Sequence, residues 1–150
     1  MTALPKTPFL GVCYYPEHWP EERWKIDADL LREAGIDVVR MMEFAWDKLE
    51  PEEGEYDFAW MDKALTIFQE AGIKVVLSTP TPTPPPWLTS AHPDMLRVDE
   101  KTGHRVVAGS RRHACCNAPT YREHTTRIVT AIAKRYGNHP NVIGWQIDNE

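Results

Sequence analysis

The chain has 150 residues, 42% of them hydrophobic and 26% charged, with a formal net charge of −5. That is the size of one domain with enough apolar material for a core. The mild acidity and the lack of a basic stripe exclude general attraction to nucleic acid, and the longest apolar runs, at 36–39 and 73–77, are far too short to cross a bilayer.

At the amino end, Met1-Thr2-Ala3-Leu4-Pro5-Lys6 lacks the apolar segment of a secretory signal. Three cysteines, an odd number, argue against a disulfide framework. Cytoplasmic residence is the expectation. Further along, the chain repeats itself: Glu33-Ala34-Gly35-Ile36-Asp37-Val38-Val39-Arg40 recurs as Glu70-Ala71-Gly72-Ile73-Lys74-Val75-Val76-Leu77, 37 residues later. Each copy reads as a helix end, a glycine just past it, then an apolar β-branched strand. Strands are expected at 9–14, 37–42, 74–79 and 142–148. Trp24, Ala28, Leu31 and Ala34 recur at helical spacing, with Pro20 suited to a first helical position. Phe58, Met61, Leu65 and Phe68 do the same, with Asp57 as N-cap. A third helix is expected from Pro119 to Tyr136, striped by Ile128, Ile132 and Tyr136 and stopped at Gly137.

Alternating helices and near-continuous apolar strands predict an α/β fold with a parallel sheet. The first expected strand is followed by Tyr14-Tyr15-Pro16-Glu17-His18-Trp19, without any glycine, which argues against a dinucleotide-binding sheet. Four βα units are then the first half of a (β/α)8 TIM barrel, a fold of about 250 residues. Residues 1–150 are accordingly expected to be the N-terminal half of a barrel catalytic domain, truncated, with open sheet edges and poor stability alone.

The fourth strand carries the chemistry. Alternation puts Ile143, Trp145 and Ile147 toward the helices and Gly144, Gln146, Asp148 and Glu150 toward the barrel axis. A carboxylate at the C-terminal tip of a barrel strand is where such folds place catalytic acids. Glycoside cleavage uses two carboxylates, about 5–5.5 Å apart for retention and about 6.5–9.5 Å apart for inversion. Glu150 is the natural acid, and its companion is not evident in this chain. Arg40 sits inside an apolar strand, so it is either a structural ion pair or a cation that keeps a nearby carboxylate ionised. Glu43 lies just past that strand, placed to bind sugar hydroxyls or water. His113, Cys115 and Cys116 lack the paired C-x-x-C spacing of a structural zinc site.

These segments together resemble glycoside hydrolase family 42, the β-galactosidases of the (β/α)8 clan. The resemblance runs from Gly11-Val12-Cys13-Tyr14-Tyr15-Pro16-Glu17-His18-Trp19 through Arg40 and Glu43-Phe44-Ala45-Trp46. It continues through residues 79–88 and Gly109-Ser110-Arg111-Arg112-His113 to Gln146-Ile147-Asp148-Asn149-Glu150. It implies a retaining β-galactosidase acting by double displacement on β-galactosides such as lactose or galacto-oligosaccharides. In it Glu150 is general acid/base, Asn149 holds the sugar 2-hydroxyl, and Arg111 and Glu43 bind substrate. The nucleophilic glutamate lies beyond residue 150. No cofactor serves catalysis. Cys115 matches the first of four zinc cysteines in some members, so a structural zinc is expected only with ligands outside this chain. A homotrimer is implied for the full-length protein, with neither nucleic acid nor membrane as partner. Two alternatives stand beside this reading: another β-glycosidase of the same clan, and a non-catalytic sugar-binding half-barrel using Trp46, Trp87 and Trp145 as contact surfaces.

Overall fold

Four parallel strands form one sheet in the order β1-β2-β3-β4 in the computed structural model, which describes residues 9–109 and 112–149. The strands are β1 (Gly11–Cys13), β2 (Val38–Met41), β3 (Lys74–Ser78) and β4 (Val142–Gln146). The helices are α1 (Glu21–Glu33), α2 (Trp46–Leu49), α3 (Ala59–Glu70), α4 (Pro86–Ala91) and α5 (Pro119–Tyr136), with short 3-10 turns at Pro16–His18 and Pro93–Met95. Each strand is thus joined to its parallel neighbour by a helical crossover, as the predicted βα repeat requires.

One face of the sheet is dry. Val39, Met41, Val75 and Leu77 are fully buried there under α1, α3 and α5. The α3 stripe of Met61, Ala64, Leu65 and Phe68 is buried as its 3.6-residue period demands. Tyr121, His124, Ile128, Ile132 and Tyr136 do the same on α5. Tyr14 meets Phe68 with ring centroids 5.0 Å apart. The other face carries Cys13, Arg40, Val76 and Gly144 in one row across the register. That face is only partly covered, which is why every residue of β4 is half-buried rather than buried.

The two repeat copies end their helices identically. Gly35 and Gly72 both take φ +75°. Gly35 N donates to Arg32 O and Ile36 N to Leu31 O; Gly72 N donates to Gln69 O and Ile73 N to Phe68 O. These are paired Schellman closures, and the left-handed glycine is what permits them. Arg32 also donates from Nη1 to Ala71 O at 2.8 Å, locking the end of α1 to the end of α3. Asp57 does its expected work one residue early: Phe58 is the N-cap, while Asp57 Oδ1 accepts from Ala59 N at 3.0 Å.

Two expectations need correction. The first strand is shorter than 9–14 and runs over Gly11–Cys13 alone. The fourth strand stops at Gln146, since Asp148 takes φ +60°, a left-handed conformation that no strand continues. Its register also shifts: Val142 pairs with Val75 but Gly144 with Val76, so Ile143 is an extra residue. The stretches after β2 and β3 contain short helices, α2 and α4, the latter opened by Pro86 at its first position.

Among the described residues no helix is long and apolar enough to cross a membrane. A buried carboxylate braces the turn after α2. Glu50, only 1% exposed, accepts from Trp46 Nε1 at 2.8 Å and Gly54 N at 2.9 Å, and pairs with Arg127 of α5 at 3.2 Å. Trp87 Nε1 donates to the Glu50 carbonyl at 2.8 Å. Removing that carboxylate strands the Trp46 and Gly54 donors, while Arg127 keeps Glu53 at 2.8 Å. Glu50→Ala in the full-length protein is expected to cost about 2 kcal/mol, read as a lower urea midpoint of unfolding.

Candidate active site

The C-terminal ends of all four strands meet in one polar network, centred on Arg40 of β2. Its Nη2 lies 2.5 Å from Glu43 Oε2, 3.1 Å from Cys13 Sγ and 3.3 Å from the Tyr15 hydroxyl. Its Nη1 donates to Gln146 Oε1 at the end of β4. Tyr15 donates its hydroxyl to Glu43 Oε2 at 2.9 Å. Burial, then that bond, pushes the Tyr15 hydroxyl up to about 12, so it stays a proton donor near neutral pH. Glu43 is therefore held from two sides and is 1% exposed. Arg40 is the structural ion pair that the sequence allowed, with Glu43 as its partner.

The network continues toward the end of the chain. Gln146 Nε2 donates to Asp148 O at 2.9 Å and to Asn149 Oδ1 at 3.1 Å. Asp148 N donates to Thr79 Oγ1, just past β3, at 2.7 Å, and Thr79 lies 3.1 Å from the Thr81 hydroxyl. Arg112 Nη1 reaches Asp148 Oδ2 at 2.8 Å. Alternation had placed Asp148 on the interior face with Gln146. The left-handed turn instead rotates it toward Arg112, while Gly144 and Gln146 keep the expected facing.

Backbone strain concentrates here. Among the described residues the only non-glycine residues at positive φ are Met42 (81°), Arg112 (62°) and Asp148 (60°). Met42 precedes Glu43 and turns the chain back toward Arg40. Asp148 precedes Asn149. Such conformations cost about 1–3 kcal/mol each and persist where surrounding contacts overdetermine them.

Of the residues singled out from sequence, Glu43 and Asn149 fall in this network, while Arg111 and Glu150 lie outside the described residues. Tyr15, Thr79 and Arg112 join it without having been anticipated. The Arg-Arg pair at 111–112 was a signal for the last; nothing in the sequence marks Met42 or Asp148 for left-handed backbone. Trp46 is fully buried with its indole N–H given to Glu50, so it cannot serve as a sugar platform. Cys115 is half-buried, its backbone N–H bonded to Met95 O at 2.8 Å. Among the described residues no three His, Cys, Asp or Glu side chains gather to hold a metal ion. Cys115 supplies a single thiol, one of the about four ligands that a structural zinc takes.

With this geometry in view, comparison with known proteins is direct. The family model of the glycoside hydrolase family 42 β-galactosidases matches residues 13–150. The chain belongs to this family. A β-galactosidase of Thermus thermophilus is 55% identical over 141 residues, covering 94% of this chain and 22% of that protein. One from Haloferax lucentense is 53% identical over the same length, covering 94% and 21%. The crystal structure of the β-galactosidase from the psychrophilic Marinomonas ef1 superposes with a TM-score of 0.91 at 51% identity, over 95% of this chain and 22% of that one. A family 39 glycoside hydrolase, at 20% identity and a TM-score of 0.61, shares the fold. The chain thus spans about a fifth of the length of its relatives, and its sheet is the N-terminal part of their TIM barrel.

One carboxylate beside the network has an unusual environment. Glu17, in the 3-10 turn after β1, has both carboxylate oxygens buried without a hydrogen-bond partner. Burial raises its pKa from 4.5 to about 7, and the charges of Asp47 and Glu43 add to the rise. Between those two values the folded chain keeps a proton that the unfolded chain has released, so stability falls as pH rises through the window. Glu17→Gln cannot ionise. Its stability is expected to gain on the parent steadily from pH 4.5 to about 7 and to hold a constant lead above that, in denaturation curves taken at each pH. Parallel curves for the two proteins would show that Glu17 carries no such penalty.

Proposed function

We propose that the full-length protein is a retaining β-galactosidase, acting on terminal β-D-galactosides such as lactose or galacto-oligosaccharides. In this reading Glu150 protonates the departing oxygen in the first step and activates water in the second. The nucleophile is a glutamate beyond residue 150. Asn149 holds the sugar 2-hydroxyl, and Glu43 and Arg111 bind other hydroxyls of the galactose ring. Family membership supports the reaction class. The observation that carries the assignment of roles is the unbroken run of hydrogen bonds from Tyr15 and Glu43 through Arg40 and Gln146 to Asn149. It fixes Asn149, the residue next to Glu150, at the strand tips where barrel enzymes carry out chemistry.

Three properties of the network suit that task. Glu43 beside a guanidinium that cannot deprotonate stays an acceptor for sugar hydroxyls. Asn149 is oriented by Gln146, leaving its amide N–H groups as donors. Asp148, bound by both Arg112 and Thr79, fixes the backbone two residues before the acid. Such preorganisation lets the site stabilise developing charge without rearranging during the reaction.

The test is Glu150→Gln in the full-length enzyme, assayed on two leaving groups. On lactose, whose leaving oxygen needs a proton, kcat/KM is expected to fall about 10²- to 10⁴-fold. On an activated dinitrophenyl galactoside the first step should be nearly spared, with azide restoring turnover as a galactosyl azide. Undiminished lactose hydrolysis would remove Glu150 from the mechanism.

A further inference from the structure

Gln146 closes β4, and its side-chain amide joins two groups whose hydrogen bonding runs one way only. Its Oε1 accepts from Arg40 Nη1. Its Nε2 donates to the Asp148 carbonyl at 2.9 Å and to Asn149 Oδ1 at 3.1 Å. A guanidinium can only donate and a backbone carbonyl can only accept. Turning the amide over would set nitrogen against nitrogen at one end and oxygen against oxygen at the other. Gln146 therefore has a single orientation, and both of its N–H groups are spent.

That orientation decides the next one. Asn149 can meet a Gln146 N–H only with the oxygen of its own amide. Its backbone N–H is given to Asp148 Oδ1 at 2.8 Å, so main chain and side chain are held together. Its Nδ2 is left as the donor that a half-buried residue presents at the strand tip. Arg40, where the sequence of bonds begins, is itself anchored by Glu43 at 2.5 Å. The direction of one fixed donor is thus carried through two amides.

We propose that Gln146 is a positioning residue that turns Asn149 donor-first toward the sugar 2-position, so that the site admits a hydroxyl there and rejects an ammonium. A hydroxyl can accept the Asn149 N–H; an ammonium has donors only. The inference rests on the β-galactosidase reading, in which Asn149 holds the 2-hydroxyl, and deepens it with the cause of the selection. The full-length enzyme can be assayed on nitrophenyl β-galactoside and on its 2-deoxy and 2-amino-2-deoxy analogues, at about pH 6, where the amine is protonated. Gln146→Glu keeps an acceptor for Arg40 and loses the donor, so Asn149 is expected to turn its oxygen outward. The ratio of kcat/KM on the amino sugar to that on the galactoside is then expected to rise about tenfold over the parent, the worth of one hydrogen bond. The new charge would also attract an ammonium directly, so the substitution is repeated in an Asn149→Ala background, where the gain is expected to vanish. No rise in Gln146→Glu, or a rise that survives Asn149→Ala, would overturn the relay. Gln146→Met breaks the relay without adding charge. It is expected to lose about tenfold more on the galactoside than on the 2-deoxy analogue, and equal losses would also overturn the relay. Asn149→Ala alone tests the footing: equal losses on those two substrates would remove the 2-hydroxyl contact, and the relay with it. A parent enzyme inert on the galactoside would remove the β-galactosidase reading itself.

Discussion

Arg40 is a permanent positive charge set into the middle of an otherwise apolar sheet, and the surrounding strand ends are arranged to satisfy it. A guanidinium cannot shed its proton to escape burial, so it draws acceptors toward it, and both terminal nitrogens find them while the buried Nε has none among the described residues. The acceptors come from three different strands or the turns just past them: Cys13 and Tyr15 after β1, Glu43 after β2, Gln146 on β4. Supplying Glu43 requires Met42 to adopt a left-handed backbone. The pull of one cation thus explains the strained turn, the depth of Glu43 and the direction of Gln146. The geometry of the strand tips follows from solving a desolvation problem.

Two carboxylates past the ends of β1 and β2 show how far environment sets chemistry. Glu43 receives both a guanidinium and a phenol hydroxyl. Glu17, in the 3-10 turn after β1, has no donor on either oxygen. The same side chain is an anchored anion in one place and a proton store in the other. The difference comes from which neighbours face each group, because both are withdrawn from water.

Much of the fold could be read from periodicity. The four strands, the three long helices and the parallel order all follow from apolar spacing and from the repeated Glu-Ala-Gly-Ile segment. What escaped was whatever depends on tertiary contact. Helix α2 is four residues long and exists because Trp46 is buried against Glu50. The extra residue at Ile143 is invisible in a pattern of alternation, and it breaks the pairing of β4 with β3 between Val75 and Val76. In the site, Glu43 and Asn149 were legible as polar residues at strand tips. Arg112 and Tyr15 were not, since their roles depend on a left-handed turn and on a phenol reaching across to the next strand. Resemblance to a family supplied chemical roles that spacing alone could not.

The paired helix endings hold a last asymmetry. Gly35 and Gly72 share a conformation and a sequence context, but their surroundings differ. A β-carbon at 35 would meet nothing within 4 Å, whereas one at 72 would fall 2.4 Å from Arg32 Nη1, the atom that clasps Ala71. Asparagine, which tolerates the left-handed region, is therefore admissible at the first joint and forces apart an interhelical clasp at the second. The ancestral symmetry of the two units survives in their letters, while their freedom to vary has already diverged.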